Sequence, residues 1–320
     1  MRYFPSLFVS SSVELLDIGT DSDKVGAGVE VVLCLVQIKG IDTHRFTSIA
    51  ESLDGFFTPA TTSGWKLSHV LSGRAPESLL RTYHDEHYPA AANLIAFDKG
   101  WSTLMAPQLE DPEAVERYYV AAEEFTAGFL TENQDNLITA GTEHQALASG
   151  FPVGRRFKSD IALRRCDAVT THIGHEHSAD GRWRIYVFAG QATPQDSDSA
   201  LNKWAQWMEE SEDSPLNRFT PEDGDRNAVF DIKAIYQQHY HSFDLFDAPE
   251  VFFPRVGPYK LQNLENVWTV LDSQDIFESR GISRDGAIVV VCPDQYVAAV
   301  LPLEDTAALA EFFNGNLLEP

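Results

Sequence analysis

The apolar positions of this chain fall into two regimes. Towards the C-terminal end they form short continuous runs bounded by turn residues. Ala287, Ile288, Val289, Val290 and Val291 lead into Cys292 and a Pro293-Asp294 turn, and a second apolar run occupies residues 296–301. Runs of that length, closed by turn chemistry, predict two buried strands joined as a hairpin. Residues 306–313 place Ala, Leu and Phe at helical spacing and predict a closing helix. Upstream, residues 183–189 and 229–236 read as strands, with a helix over 199–210 between them. Residues 267–271 read as strand or turn, and Phe277 closes a short helical piece. A strand–helix–strand unit followed by a hairpin and a helix predicts an α/β sandwich of thioredoxin-like order.

The first 150 residues pattern differently. Residues 29–36 (VEVVLCLV) suit a buried strand, with Gly26 and Gly28 before it, and residues 51–62 (ESLDGFFTPATT) read as loop. From Ser63 the spacing turns helical. Leu67, Val70 and Leu71 mark one face and Gly73 marks a stop. Pro76 opens a second helix through Leu79, Leu80 and Tyr83, Pro89 predicts an interruption, and a further helix is expected over residues 90–105. Asp111-Pro112 opens another, whose stripe includes Tyr118, Tyr119, Phe125 and Phe129. Residues 133–150 are a polar, glycine-containing connector. The expected division is therefore a strand region (1–62), helices (63–132) and connector (133–150), followed by an α/β domain over residues 151–320.

Composition narrows the class. Apolar residues make up 43% of the 320, enough for a substantial core, and the formal net charge is −24. A chain this acidic repels phosphate backbones and anionic lipid, which argues against nucleic-acid and membrane-surface partners. The three cysteines, Cys34, Cys166 and Cys292, are far apart and form no CxxC pair, which fits reduced thiols. The N-terminal MRYFPSLFVSSS has one basic residue and a short apolar run broken by Pro5, a poor signal peptide. Residues 29–36 contain Glu30 and are far too short to span a bilayer. These features together point to a cytoplasmic protein.

Chemistry-bearing residues are few. His172, His175 and His177 make an HxxHxH cluster beside Glu176 and Asp180; His239 and His241 make a second beside Asp244. Neutral imidazoles at such spacing can ligate metal, and a histidine can transfer protons near neutral pH. A solvated loop accounts for the first cluster more simply, so no metal is expected; these five histidines stand as acid–base candidates. No nucleophile elbow, P-loop or HExxH is present.

Five segments together carry a family resemblance. SGWKLSHVLSGRAPESLLRTYHDEHYP (63–89), AANLIAFDKGWSTLM (91–105), VGRRFKSDIALRRCDA (153–168), DGRWRIYVFAG (180–190) and CPDQYVAAVLPL (292–303) occur in the order found in the phenol hydroxylase-like, FAD-dependent aromatic monooxygenases. The resemblance covers residues 63–320 and implies a C-terminal thioredoxin-like domain that dimerises, hence a homodimer. It also implies FAD, with NADPH, and an aromatic small-molecule ligand. Three departures bear on the cofactor. VGAGVEV (25–31) has two of the three glycines of a GxGxxG turn and leads into a predicted strand, not a helix. The GDAxHxxxP segment expected before GWKL is replaced by ESLDGFFTP, and Cys292 stands where the family has arginine.

Those departures favour a shortened family member, relevant to secondary metabolism, that has lost FAD. It would bind or transform a phenolic or polyketide-like molecule without flavin, as an isomerase, cyclase or lyase. The alternatives are an FAD/NADPH-dependent hydroxylase with a remodelled or partner-supplied flavin site, and a non-catalytic dimerisation module. On the first reading no cofactor-binding residue is assigned, and Tyr118, Tyr119, Phe125 and Phe129 are candidates for an apolar pocket between the helical layer and the C-terminal domain.

Overall fold

The computed structural model describes residues 59–104, Arg117 and residues 131–320. The strand expected over 29–36 and the helix opened by Asp111-Pro112 lie outside them. So do Tyr118, Tyr119, Phe125 and Phe129.

Helix α1 spans Pro59–Leu71, so residues 59–62, read as loop, are helical. Proline suits a first helical position, where the missing N–H has no intrahelical partner to lose. Gly73 takes a left-handed φ of 72° just beyond the helix, and Arg74 N–H donates to the His69 carbonyl (2.8 Å), which closes the end. A 3₁₀ turn, Glu77–Leu80, leads into α2, Arg81–Leu104. The interruption expected at Pro89 does not occur, because α2 runs through it. Proline forgoes one backbone hydrogen bond, and the helical residues on both sides hold the chain in register.

The rest of the described chain builds one seven-stranded sheet. Its strands are β1 (Ile161–Arg164), β2 (Thr170–His172), β3 (Trp183–Phe188), β4 (Phe230–Tyr236), β7 (Val267–Thr269), β8 (Ala287–Val291) and β9 (Val297–Leu301). A separate two-stranded ribbon pairs β5 (Arg255–Val256) with β6 (Leu261–Gln262). The order across the sheet is β2-β1-β7-β4-β3-β8-β9. Its centre, β4-β3-β8-β9, has β3 parallel to β4 (Ile185 opposite Ile232), β8 antiparallel to β3 (Ile185 opposite Val290) and β9 antiparallel to β8. Helices α3 (Ala200–Glu210) and α4 (Pro215–Phe219) form the crossover between β3 and β4. A single turn, α5 (Ile276–Ser279), precedes β8, and α6 (Thr306–Asn316) follows β9. Two parallel strands with a helical crossover, then an antiparallel hairpin and a closing helix, make the thioredoxin-like α/β arrangement expected from the pattern.

Every residue of β3, β4, β8 and β9 is buried, so the sheet is covered on both faces. Alternation sends Trp183, Ile185 and Val187 towards α3, α6 and Trp65 of α1. Tyr186 and Phe188 face Phe151, Phe157 and Phe277 on the other side. Ser199 caps α3 by accepting from Asn202 N–H (3.1 Å), and Asp305 caps α6 by accepting from Ala308 N–H (3.0 Å).

Val297 and Ala298 at the outer margin of β9 are bonded by the connector and the residues that follow it. Ala140 N–H donates to Ala298 O, Gly154 N–H to Val297 O and Val297 N–H to Arg155 O, each at 2.8 Å. Gly154 is required there: its φ is 81°, and a Cβ would lie 2.2 Å from the Asn133 carbonyl oxygen. The opposite margin is β2, three residues long.

Candidate functional site

The β8–β9 hairpin turn is where the helical segment meets the α/β domain. Gln295 N–H donates to Cys292 O (2.9 Å) and Cys292 N–H to Tyr296 O (2.8 Å). Gln295 has a φ of 72°, the left-handed residue that follows the turn in such hairpins. The turn presents Asp294 to α1, where the Trp65 indole N–H donates to its Oδ2 at 2.8 Å. The neighbouring Lys66 is fully buried and its Nζ bonds the buried Glu86 carboxylate of α2. One turn further on, His69 Nε2–H donates to the Gly181 carbonyl (2.7 Å).

This assignment corrects two of the three positions expected for the apolar face of α1, Val70 being partly buried against the core as expected. Leu67 and Leu71, read as its apolar stripe, are 42% and 78% exposed, while Trp65, Lys66 and His69 point inward. The apolar spacing misled because the helix docks through polar partners supplied from elsewhere in the chain, which periodicity does not register.

The electrostatics of the cluster are unbalanced. One ammonium, Lys66, serves two buried carboxyl groups. Among the described residues Glu86 Oε1 and Asp294 Oδ1 lack a hydrogen-bond partner. Burial raises the Glu86 pKa to about 7; Asp294 and Asp85 add to the rise and Lys66 opposes it. Burial also raises Asp294, against Lys66 and the Trp65 indole. Cys292 is buried beside them, and burial pushes its thiol well up, with the Asp294 and Glu86 charges contributing.

A second charged network lies across the sheet and has the opposite balance. Asp180 bonds both terminal nitrogens of the fully buried Arg184 (2.7 and 2.8 Å) and also pairs with Arg182 (2.7 Å). Asp231, opposite Arg184 in the ladder, pairs with Lys233 at 3.1 Å. Burial pushes Asp231 up, but Lys233, Arg184 and Arg182 outweigh it and hold the carboxyl below its usual range. Two carboxylates here meet three cations; this is a structural network.

The histidines do not converge on one centre. His172 ends β2 and its ring lies 5.1 Å from the exposed His175 ring. His177 turns inward, where its Nε2–H donates to the Pro293 carbonyl (2.8 Å) and ties the 173–182 loop to the hairpin turn. Burial, reinforced by Arg184, lowers its pKa to about 4. His239 pairs with Asp272 (2.9 Å), with the exposed His241 ring 5.0 Å away. Among the described residues no group of three or more His, Cys, Asp or Glu is arranged to hold a metal ion. Lys66, Glu86 and Asp294 were not singled out from sequence. The available signal was a lysine and an aspartate inside otherwise apolar segments, GWKL and CPDQYV.

The β3–α3 crossover does not fit the pyrophosphate of a dinucleotide such as FAD. It joins β3 to α3 through AGQATPQDSDS, which has one glycine and places Asp196 and Asp198 ahead of the α3 N-terminus. A pyrophosphate needs a glycine-rich turn and free N–H groups at that position, and these carboxylates repel it. No helix among the described residues is long and apolar enough to cross a membrane.

Comparison with known proteins adds findings of three kinds. The family model for the C-terminal dimerisation domain of phenol hydroxylase matches residues 131–320. The chain is 42% identical over 261 residues to 3-hydroxybenzoate 4-monooxygenase of Comamonas testosteroni, covering 78% of this chain and 41% of that protein. It is 28% identical over 268 residues to the FAD-dependent monooxygenase terD of Aspergillus terreus, covering 78% and 43%. The chain thus spans under half the length of these relatives. Among solved structures, OxyS anhydrotetracycline hydroxylase from Streptomyces rimosus aligns over 82% of this chain and 40% of its own, at 17% identity and a TM-score of 0.44. Aklavinone-11 hydroxylase, solved with FAD and aklavinone, gives 17% and 0.42 over 80% and 38%. At that level the structural likeness carries no argument about the site.

Proposed function

Because the chain belongs to the phenol hydroxylase family, whose C-terminal dimerisation domain it contains, we propose that it is the dimerising part of an aromatic hydroxylase of the FAD-dependent type and does not itself hold flavin tightly. The observation that carries this is the 42% identity to 3-hydroxybenzoate 4-monooxygenase over 261 residues, a longer stretch than the dimerisation domain alone. Its aromatic ligand is accordingly a phenolic or hydroxybenzoate-like molecule. The crossover loop supports the statement about flavin, since it presents carboxylates where a pyrophosphate would need N–H groups. No catalytic step is assigned to the described residues.

A second reading is favoured by residues 51–59, ESLDGFFTP, which lack the histidine and alanine of the family's flavin-contacting segment. On it, the chain binds or transforms its phenolic ligand without flavin. Sedimentation and visible spectroscopy of the purified full chain test both. The proposal expects a colourless dimer that takes up added FAD weakly. A monomer at micromolar concentration overturns the dimerising role. Stoichiometric flavin with phenol-dependent NADPH oxidation overturns the flavin-free statement and puts hydroxylation in this chain. Turnover of a phenolic compound by the colourless protein selects the second reading.

A further inference from the structure

Two buried charged networks of similar make-up differ in one respect. Around Arg184 the cations outnumber the carboxylates and every acid is paired. Between α1, α2 and the hairpin turn, among the described residues, Lys66 is bonded to Glu86 and acts by charge alone on Asp294, and each of these buried carboxyl groups has an oxygen left without a partner. Both carboxylates ionised would leave an uncompensated negative charge inside the protein, an arrangement costing several kcal/mol. One proton cancels that charge and supplies a donor for an orphaned oxygen.

We propose that Lys66, Glu86 and Asp294 form a one-proton site, so that docking of the α1–α2 segment on the α/β domain takes up a proton from solvent. The proton is shared between two carboxyl groups that titrate as a pair, so neither residue owns it. The other groups that face the cluster are known. Asp85 adds negative charge from α2, and His87, on the same helix, faces Lys66. From the hairpin, Cys292 and Tyr296 face the carboxyl groups, and Arg156 faces Tyr296. Among the described residues, the cation acting on both carboxyl groups is Lys66.

The direction follows from linkage. Glu86 and Asp294 have folded-state pKa values above their unfolded ones. Their contribution to stability is therefore complete below the unfolded values and is lost as pH rises through the folded ones, about 7 for Glu86. His69 and His177, both lowered by burial, act in the opposite sense below their ordinary value of 6.5. The window that isolates the pair thus runs from about pH 8.5, where it is ionised in both states, down to about pH 6.5, with the change concentrated at and below about pH 7.

Urea unfolding of the full chain across that window, with Glu86→Gln and Asp294→Asn, is the test. Between about pH 8.5 and about pH 6.5 the wild-type folding equilibrium constant should rise by about fourfold in all, most of it below about pH 7.5. Either amide, which imitates the protonated acid, should flatten that slope. Infrared difference spectra provide a readout that needs no variant: acidification from about pH 8.5 to about pH 6.5 should produce the C=O stretch of a protonated buried carboxyl. In a variant that folds, that band should be missing or displaced. Wild-type stability that is level across the window, variants that keep the wild-type slope, or no protonated-carboxyl band would each overturn the proposal.

Discussion

At the scale of single residues, Lys66 matters most to the docked helices. It is fully buried, bonds Glu86 and lies 5.7 Å from the centre of the Trp65 ring. Lys66→Met keeps much of the side-chain volume but leaves two buried carboxyl groups without their cation. Removing one partner of a buried pair costs about 3 kcal/mol or more. Chemical denaturation near neutral pH should show a loss of that order, and acidification should restore part of it, because protonating the acids removes the charge that Lys66 balanced. The sequence showed Lys66 and Asp294 inside apolar segments but not that they meet. A lysine beside a tryptophan reads as a surface residue until the chain brings Asp294 from 228 positions away to face it. The histidines had the opposite fate. Their spacing drew attention, yet His177 is engaged by a backbone carbonyl and His239 by a single carboxylate.

At the scale of elements, legibility tracked how far local pattern determines the outcome. β8 begins and ends where its five apolar residues do, and β3, β4 and α3 fall within a residue of their expected limits. Strands β1 and β2 left no comparable trace. They are four and three residues long, end in Arg164 and His172, and are extended only because each lies against a neighbour. Pro89 failed as a stop because helix on both sides outweighs one missing bond. That bond remains a local defect, so Pro89→Ala should stabilise the protein by about 2 kcal/mol, read as a higher urea midpoint with unchanged slope. An unchanged or lowered midpoint would mean that a bend at Pro89 is needed to seat α2.

At the scale of the whole molecule, the order of elements gave away the sandwich, since strand–helix–strand followed by hairpin and helix permits few topologies. The acidic charge bears on association. Two copies each carrying −24 repel, so a dimer must be held by contacts that outweigh this. Added salt shortens the range of that repulsion. Dimerisation measured by sedimentation should therefore tighten several-fold between about 0.05 and about 0.5 M sodium chloride; weakening over the same range would indicate an interface built on ion pairs. The covered margin of the sheet sets a limit on such assemblies. Among the described residues, Val297 and Ala298 at the β9 margin of the seven-stranded sheet are already hydrogen-bonded, so a strand added to that sheet would pair most readily beside β2. Two copies joined beside β2 would each have used that margin, so pairing there favours a closed pair over an extended ribbon of this sheet.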